Sequence, residues 1–123
     1  MALRWSDLPA EVLAVLRKGT VIPAHPLALD ASRKFDQRRQ RALTRYYIDA
    51  GSGGLAVGVH PTQFAIREVG LYEPVLSLAM KIARETTKRP LVMIAGLAGK
   101  TAQSVKEAQT AVGLGYHSGL LSL

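Results

Sequence analysis

Two histidines stand where proton transfer or anion recognition would need them. His60 sits in Gly58-Val59-His60-Pro61-Thr62-Gln63, directly after an apolar run, and His25 sits between Ala24 and Pro26 after a shorter one. An imidazole near its ordinary pKa can donate to a carboxylate and exchange protons at neutral pH, and Thr62 and Gln63 bring hydroxyl and amide donors beside it. Each has a plainer alternative. His60 is equally readable as a loop histidine satisfied by its neighbours, and His25 as a packed lining residue. Neither has a carboxylate at metal-ligand spacing, so no metal is expected. The chain contains no cysteine, which removes thiolate nucleophiles, disulfides and cysteine metal sites and fits a reducing compartment.

Two further patterns carry chemistry of their own. Gly96-Leu97-Ala98-Gly99-Lys100-Thr101 matches the end of the phosphate-cradling pattern GxxxxGK[ST], but the first glycine would fall at Ile94, leaving the loop too short to wrap phosphates. Six of the sixteen basic residues, Arg33, Lys34, Arg38, Arg39, Arg41 and Arg45, fall within residues 33–45 of a chain with net charge +7. Arg38, Arg41 and Arg45 share one helix face. A nucleic-acid or anionic-partner binding module would use such a cluster, with only Phe35 interleaved for base stacking. A solvated outer face explains it as well, and nucleic acid is not the expected partner.

The elements that must position these residues follow from the glycines, prolines and apolar runs. Asp7, Pro9 and Glu11 read as cap, first-turn proline and dipole-compensating carboxylate of a helix over residues 9–17, ended by Gly19. Residues 20–24 (TVIPA) are β-prone, with Pro23 confined to a strand end. Residues 36–50 form a helix whose apolar face carries Ala42, Leu43, Tyr46 and Ala50, stopped by Gly51. Residues 54–59 (GLAVGV) read as a strand covered on both faces, residues 73–85 as a helix with Pro74 in its first turn, and residues 91–95 (LVMIA) as a buried strand. Residues 96–100 form a loop, Thr101 or Ser104 caps a helix to about Val112, and residues 119–123 (GLLSL) open a fourth strand. The strand starts recur at roughly thirty residues, the unit length of a (β/α)₈ barrel. The expected fold class is therefore α/β, the first four βα units of a (β/α)₈ TIM barrel with a short extra N-terminal helix. Residues 1–123 make a single partial domain, with 1–18 the helix and 19–123 the first half of the barrel. The 48% hydrophobic and 20% charged composition fits one globular domain. No apolar run reaches the roughly 20 residues of a membrane span and residues 1–18 lack a signal-peptide core, so a cytoplasmic protein without membrane contact is expected.

Three segments resemble the dihydrodipicolinate synthase and N-acetylneuraminate lyase superfamily. Residues 19–23 (GTVIP) are similar to its opening strand, with Ile22 in place of a threonine before the proline; residues 46–58 (YYIDAGSGGLAVG) resemble the helix end and strand that lead into its GTTGE loop; and residues 90–96 (PLVMIAG), followed by Thr101, a helix and Gly115 to Leu123, resemble its third strand, AG turn and next strand. The resemblance implies a lyase or aldolase of the class I type, breaking carbon–carbon or carbon–oxygen bonds and acting on a small-molecule 2-oxo acid through a lysine Schiff base. It implies no cofactor, and a homo-oligomer in the intact protein. The family's lysine on the sixth strand and tyrosine on the fifth lie beyond Leu123, so no catalytic residue is expected within the chain, which alone is expected to be inactive. Lys100 does not match the family's nucleophile, which must be neutral and desolvated. The family's GTTGE loop binds the substrate carboxylate. Its counterpart here is Gly58, which matches, with Val59 and His60 at the two threonines and Thr62 at the glutamate; Gly58, Val59, His60, Thr62, Gln63 and His25 are the implied substrate-binding residues. Half a barrel leaves two strand edges and the leucines 120, 121 and 123 without cover, so the isolated chain is expected to self-associate, aggregate or remain partly molten.

Overall fold

The computed structural model describes residues 3–122. Three strands, β1 (Gly54–Val57), β2 (Val92–Leu97) and β3 (Ser118–Leu121), form one parallel sheet in the order β1-β2-β3. Ala56, Ile94 and Ser118 stand in register across it. Helix α3 (Tyr72–Thr86) connects β1 to β2 and helix α4 (Thr101–Gly113) connects β2 to β3. Both lie on the same side, because Leu55, Val57, Met93 and Ala95 share one buried cluster with Val75, Leu76 and Ala79 of α3 and Ala111 of α4. Strand residues of alternate parity point to the opposite face, so Gly54, Ala56, Ile94 and Leu120 look away from the helices.

Residues 20–24 do not form the expected strand. They run beside β1 as an extended edge, joined to it by the bridge between Ala24 and Ala56 and by hydrogen bonds from Gly53 N to Val21 O, Ala56 N to Pro23 O and His25 N to Ala56 O. The next rung would need the nitrogen of residue 23 to donate to the Gly54 carbonyl, and a proline has no N–H to give. The sheet therefore has three strands and a fourth track rather than four strands. Close approach is enforced at both ends of the β1–β2 pair: a methyl group added at Gly54 would overlap the Val92 carbonyl, and one at Gly96 the Gly58 carbonyl.

The helices keep their expected places with different ends and faces. Helix α1 (Ala10–Lys18) starts from Pro9, carries Glu11 in its first turn and Arg17 and Lys18 in its last, and stops at Gly19 with φ of 88°. Asp7 does not cap it; that carboxylate closes a separate 3₁₀ turn, Trp5–Asp7, by accepting from the Arg4 N–H. Helix α2 (Gln37–Asp49) is capped by Asp36, which accepts from the Arg39 N–H at 3.0 Å. Its buried face is Gln40, Thr44 and Ile48, while Ala42 and Tyr46 are exposed. Polar residues turned inward at i, i+4 spacing are what apolar periodicity misses. Of the basic cluster, Arg33, Lys34, Arg38 and Arg45 are exposed, and Arg39 pairs with Asp36 at 2.7 Å on the surface. Neither Thr101 nor Ser104 caps α4. Lys100 occupies the cap position without a side-chain bond, and the Ser104 hydroxyl donates to the Ala98 and Gly99 carbonyls. No helix among the described residues is long and apolar enough to cross a membrane.

The helix-covered face holds the core, and truncations should separate it from the surface. Leu76→Ala, at a fully buried α3 position, is expected to lower unfolding stability by about 2 to 5 kcal/mol. Val105→Ala, half-exposed on α4, is expected to stay within about 0.5 kcal/mol. Urea unfolding of the two variants beside the parent checks both.

Candidate functional site

The carboxyl ends of β1, β2 and β3 open onto a cleft of about 480 Å³ on the helix-free face. Ile22, Ala24, Ala56, Val59, His60 and Leu120 are among the residues that line it. Gly58, with φ of 81°, turns the chain out of β1 into two consecutive 3₁₀ turns, His60–Thr62 and Phe64–Arg67, separated by Gln63 at φ of 72°. A positive φ at a residue with a side chain costs backbone strain, and here it reverses the chain so that His60 and Phe64 stack with ring centres 5.5 Å apart. His60 is exposed on the cleft rim and Val59 is buried below it.

The other residues singled out by sequence serve the scaffold of this rim. The Thr62 hydroxyl is fully buried, accepts from Gly58 N at 3.1 Å and donates to the carbonyl of His25. It ties the loop after β1 to the edge segment and has no face toward the cleft. Gln63 is exposed and outside the cleft lining. His25 is wholly buried; its Nε2 lies 2.7 Å from Thr44 Oγ1 and 3.2 Å from Gln40 Nε2, and its ring meets Tyr47 edge-on. Its Nδ1 has no partner, so a proton on Nε2, donated to Thr44, leaves a lone pair rather than a donor orphaned. Thr44 passes its own hydroxyl hydrogen to the Gln40 carbonyl. Burial pushes the His25 pKa down from 6.5 to about 4, so the ring is neutral at physiological pH and locks α2 to the edge segment. Lys100 is exposed at the start of α4, outside the cleft lining.

A buried polar cluster behind the rim went unread in the sequence. Arg67 Nε pairs with Glu107 Oε1 of α4 at 2.6 Å, both side chains more than nine-tenths buried. Arg67 Nη2 donates to the Gly58 carbonyl at 2.9 Å and to the Gly96 carbonyl at 3.1 Å, where the Tyr72 hydroxyl also donates at 2.7 Å. Burial first, then the nearby Glu107 carboxylate, pushes the Tyr72 phenol far above its ordinary range, which keeps it a donor. One guanidinium thus joins the carbonyl ends of β1 and β2 to α4. The readable signal was Glu107 itself, four residues before buried Ala111 on the inner face of α4, where an unpaired carboxylate would not be tolerated.

Both clusters give measurable signs. Because the folded pKa of His25 lies below its unfolded value, stability is complete above about pH 6.5 and falls as pH drops from there toward about 4, by up to about 3 kcal/mol. Urea midpoints measured between pH 7 and pH 4.5 should fall more steeply for the parent than for His25→Gln, which carries no titrating ring; equal slopes would contradict the assignment. Glu107→Leu, which strands the Arg67 charge, should cost about 3 to 5 kcal/mol by the same measurement.

No protein-family model and no curated protein matches the sequence. Solved structures match it well in shape. A sialic acid aldolase of Ruminococcus gnavus, solved as a catalytic lysine mutant, superposes with a TM-score of 0.72 at 27% identity over 83% of this chain and 32% of that one. CdNal from Clostridium difficile, in complex with mannosamine, gives 0.74 at 18% over 83% and 34%, and dihydrodipicolinate synthase from Aquifex aeolicus gives 0.73 at 20% over 83% and 33%. The chain spans about a third of the length of these structures. In its fold, the chain is similar to about a third of the sialic acid aldolase and dihydrodipicolinate synthase structures.

Proposed function

We propose that the chain is the substrate-carboxylate half of a lyase or aldolase that acts on a 2-oxo acid through a lysine Schiff base, and that it is inactive alone. The observation that supports this reading best is the cleft at the carboxyl ends of parallel strands, the end at which barrel enzymes of this architecture do their chemistry, in a chain that superposes on lyases of that family. A catalytic lysine is named for the Ruminococcus gnavus aldolase. In the present proposal the corresponding lysine, and a proton-shuttling tyrosine, belong to the sixth and fifth strands beyond Leu123, outside the described residues.

Within this chain the work left is recognition. Gly58 turns the loop, Val59 closes the floor of the cleft, and the His60 imidazole is the side chain on the rim able to donate to a carboxylate or move a proton. Thr62, Gln63 and His25 contribute by holding or extending that loop. The Arg67 guanidinium, fixed by Glu107, keeps the rim from collapsing when no ligand is present. The exposed basic residues Arg33, Lys34, Arg38 and Arg45 serve as solvated surface in this reading, with a small molecule rather than a nucleic acid as the partner.

Two measurements test the proposal. Adding pyruvate to the isotopically labelled chain should shift the imidazole resonances of His60 and leave those of His25 unchanged; an unmoved His60 removes the recognition role. Borohydride reduction in the presence of a labelled 2-oxo acid should leave the 123-residue chain without covalent label, and incorporation at Lys100 would overturn the assignment of the nucleophile to the missing strands.

A further inference from the structure

We propose that two copies of this chain close one eight-stranded parallel barrel about a two-fold axis, each β3 pairing with the residue 21–25 edge of the other copy. The inference concerns the 123-residue chain and rests on the sheet alone; further strands of the kind proposed above would compete for the same two edges.

Both edges of the sheet carry intact rows of backbone groups. On one side Val21, Pro23 and His25 direct their hydrogen-bonding groups at β1, so Ile22 and Ala24 direct theirs outward. The nitrogen that Pro23 lacks belongs to the inner row, and the outer row is complete. On the other side Ser122 N donates to Leu97 O in step with the β2–β3 register, so the even residues of β3 face β2 and Gly119 and Leu121 face outward. Rotation about the barrel axis preserves strand direction, so the edge segment of one copy meets β3 of the other in parallel. Ile22 N then donates to the Gly119 carbonyl, Leu121 N donates to the Ile22 carbonyl, and Ile22 stands opposite Leu120 with both side chains inside.

Strand number and side-chain size favour a second copy over an unrelated partner. Three strands and one edge track give four; two copies give eight, the number at which a parallel barrel is just filled by its own side chains. Such a barrel stacks layers of four side chains taken from alternate strands, bulky branched residues dominating. Here the bulky inward residues, Ile22 and then Val92 and Ile94, sit on alternate tracks, while Gly54 and Ala56 on β1 between them are small. In the layer that Ile22 joins, two copies supply four bulky residues where one copy supplies two. The cleft that closure would enclose contains no Lys, Arg, Asp or Glu in its lining, although the chain carries +7 overall. It would cover Leu120, now 55% exposed. A two-fold assembly is also closed, with no edge left to propagate.

The cysteine-free sequence allows a direct test. Chains carrying only Ile22→Cys and chains carrying only Leu120→Cys are mixed and oxidised under mild conditions, while the parent, Ile22→Asp and Val105→Asp are sedimented at several concentrations. The expected result is a disulfide-linked heterodimer in the mixture, a parent dimer whose mass does not grow with concentration, loss of that dimer in Ile22→Asp with near-native circular dichroism, and its retention in Val105→Asp on the outer helix face. A monomeric parent, a mass that rises without limit, or a dimer that survives Ile22→Asp would overturn the proposal. Displacement of the second copy by a downstream segment of a longer product would also overturn it for that product.

Discussion

A parallel sheet needs cover on both of its faces, and this chain covers one. Helices α3 and α4 bury Leu55, Val57, Met93 and Ala95 on the convex side, where the hydrophobic core collects. The concave side has Ile22, Ala24, Ala56 and Leu120 around an open cleft. That asymmetry explains the mixture of fully buried and half-exposed leucines in neighbouring strands. It also explains why the cleft rim is accessible: the loops at one end of the sheet are formed, while the face opposite the helices lies open.

Polar locks, rather than apolar packing, hold the rim. His25, Thr44, Gln40 and Thr62 knit the edge segment to α2 and to the loop after β1. Arg67 and Glu107 knit the carbonyl ends of β1 and β2 to α4. Buried polar groups of this kind add little net stability over an apolar packing of the same shape, but they permit only one arrangement. A loop so fixed presents His60 and Phe64 in a single stacked pose, the preorganisation on which the proposed carboxylate recognition would rest.

The sequence was informative where a single residue type has a strong backbone preference. Gly19 and Gly51 ended their helices, Pro74 sits in the first turn of α3, and the unbroken apolar runs became β1 and β2. It was uninformative where tertiary partners decide. Thr44 faces inward because His25, far off in sequence, donates to it, and Gln40 because its amide bonds the Ala28 N–H and the Pro26 carbonyl, whereas Tyr46, apolar by type, faces solvent. Pro23 was recognisable as a strand breaker, yet only the register with β1 shows that the broken rung is the one to Gly54. Thr62 looked like a ligand donor because its hydroxyl follows His60 by two positions; the carbonyl of His25, reached across the fold, had the stronger claim. Among the segments that suggested the family, residues 54–57 and 92–96 lie on β1 and β2, where covered strands restrict sequence most.

Residue-resolved amide hydrogen exchange, followed as the chain is diluted, tests the central claim that the two edges of this one-sided sheet are made for each other. Ala56 and Ile94, paired within the sheet, serve as internal references. The outward amides of Ile22, Ala24, Gly119 and Leu121 should be protected at high concentration and lose protection together on dilution, while the references change less. Edge amides that exchange freely at every concentration, or that stay protected in a chain shown to be monomeric, would contradict that claim.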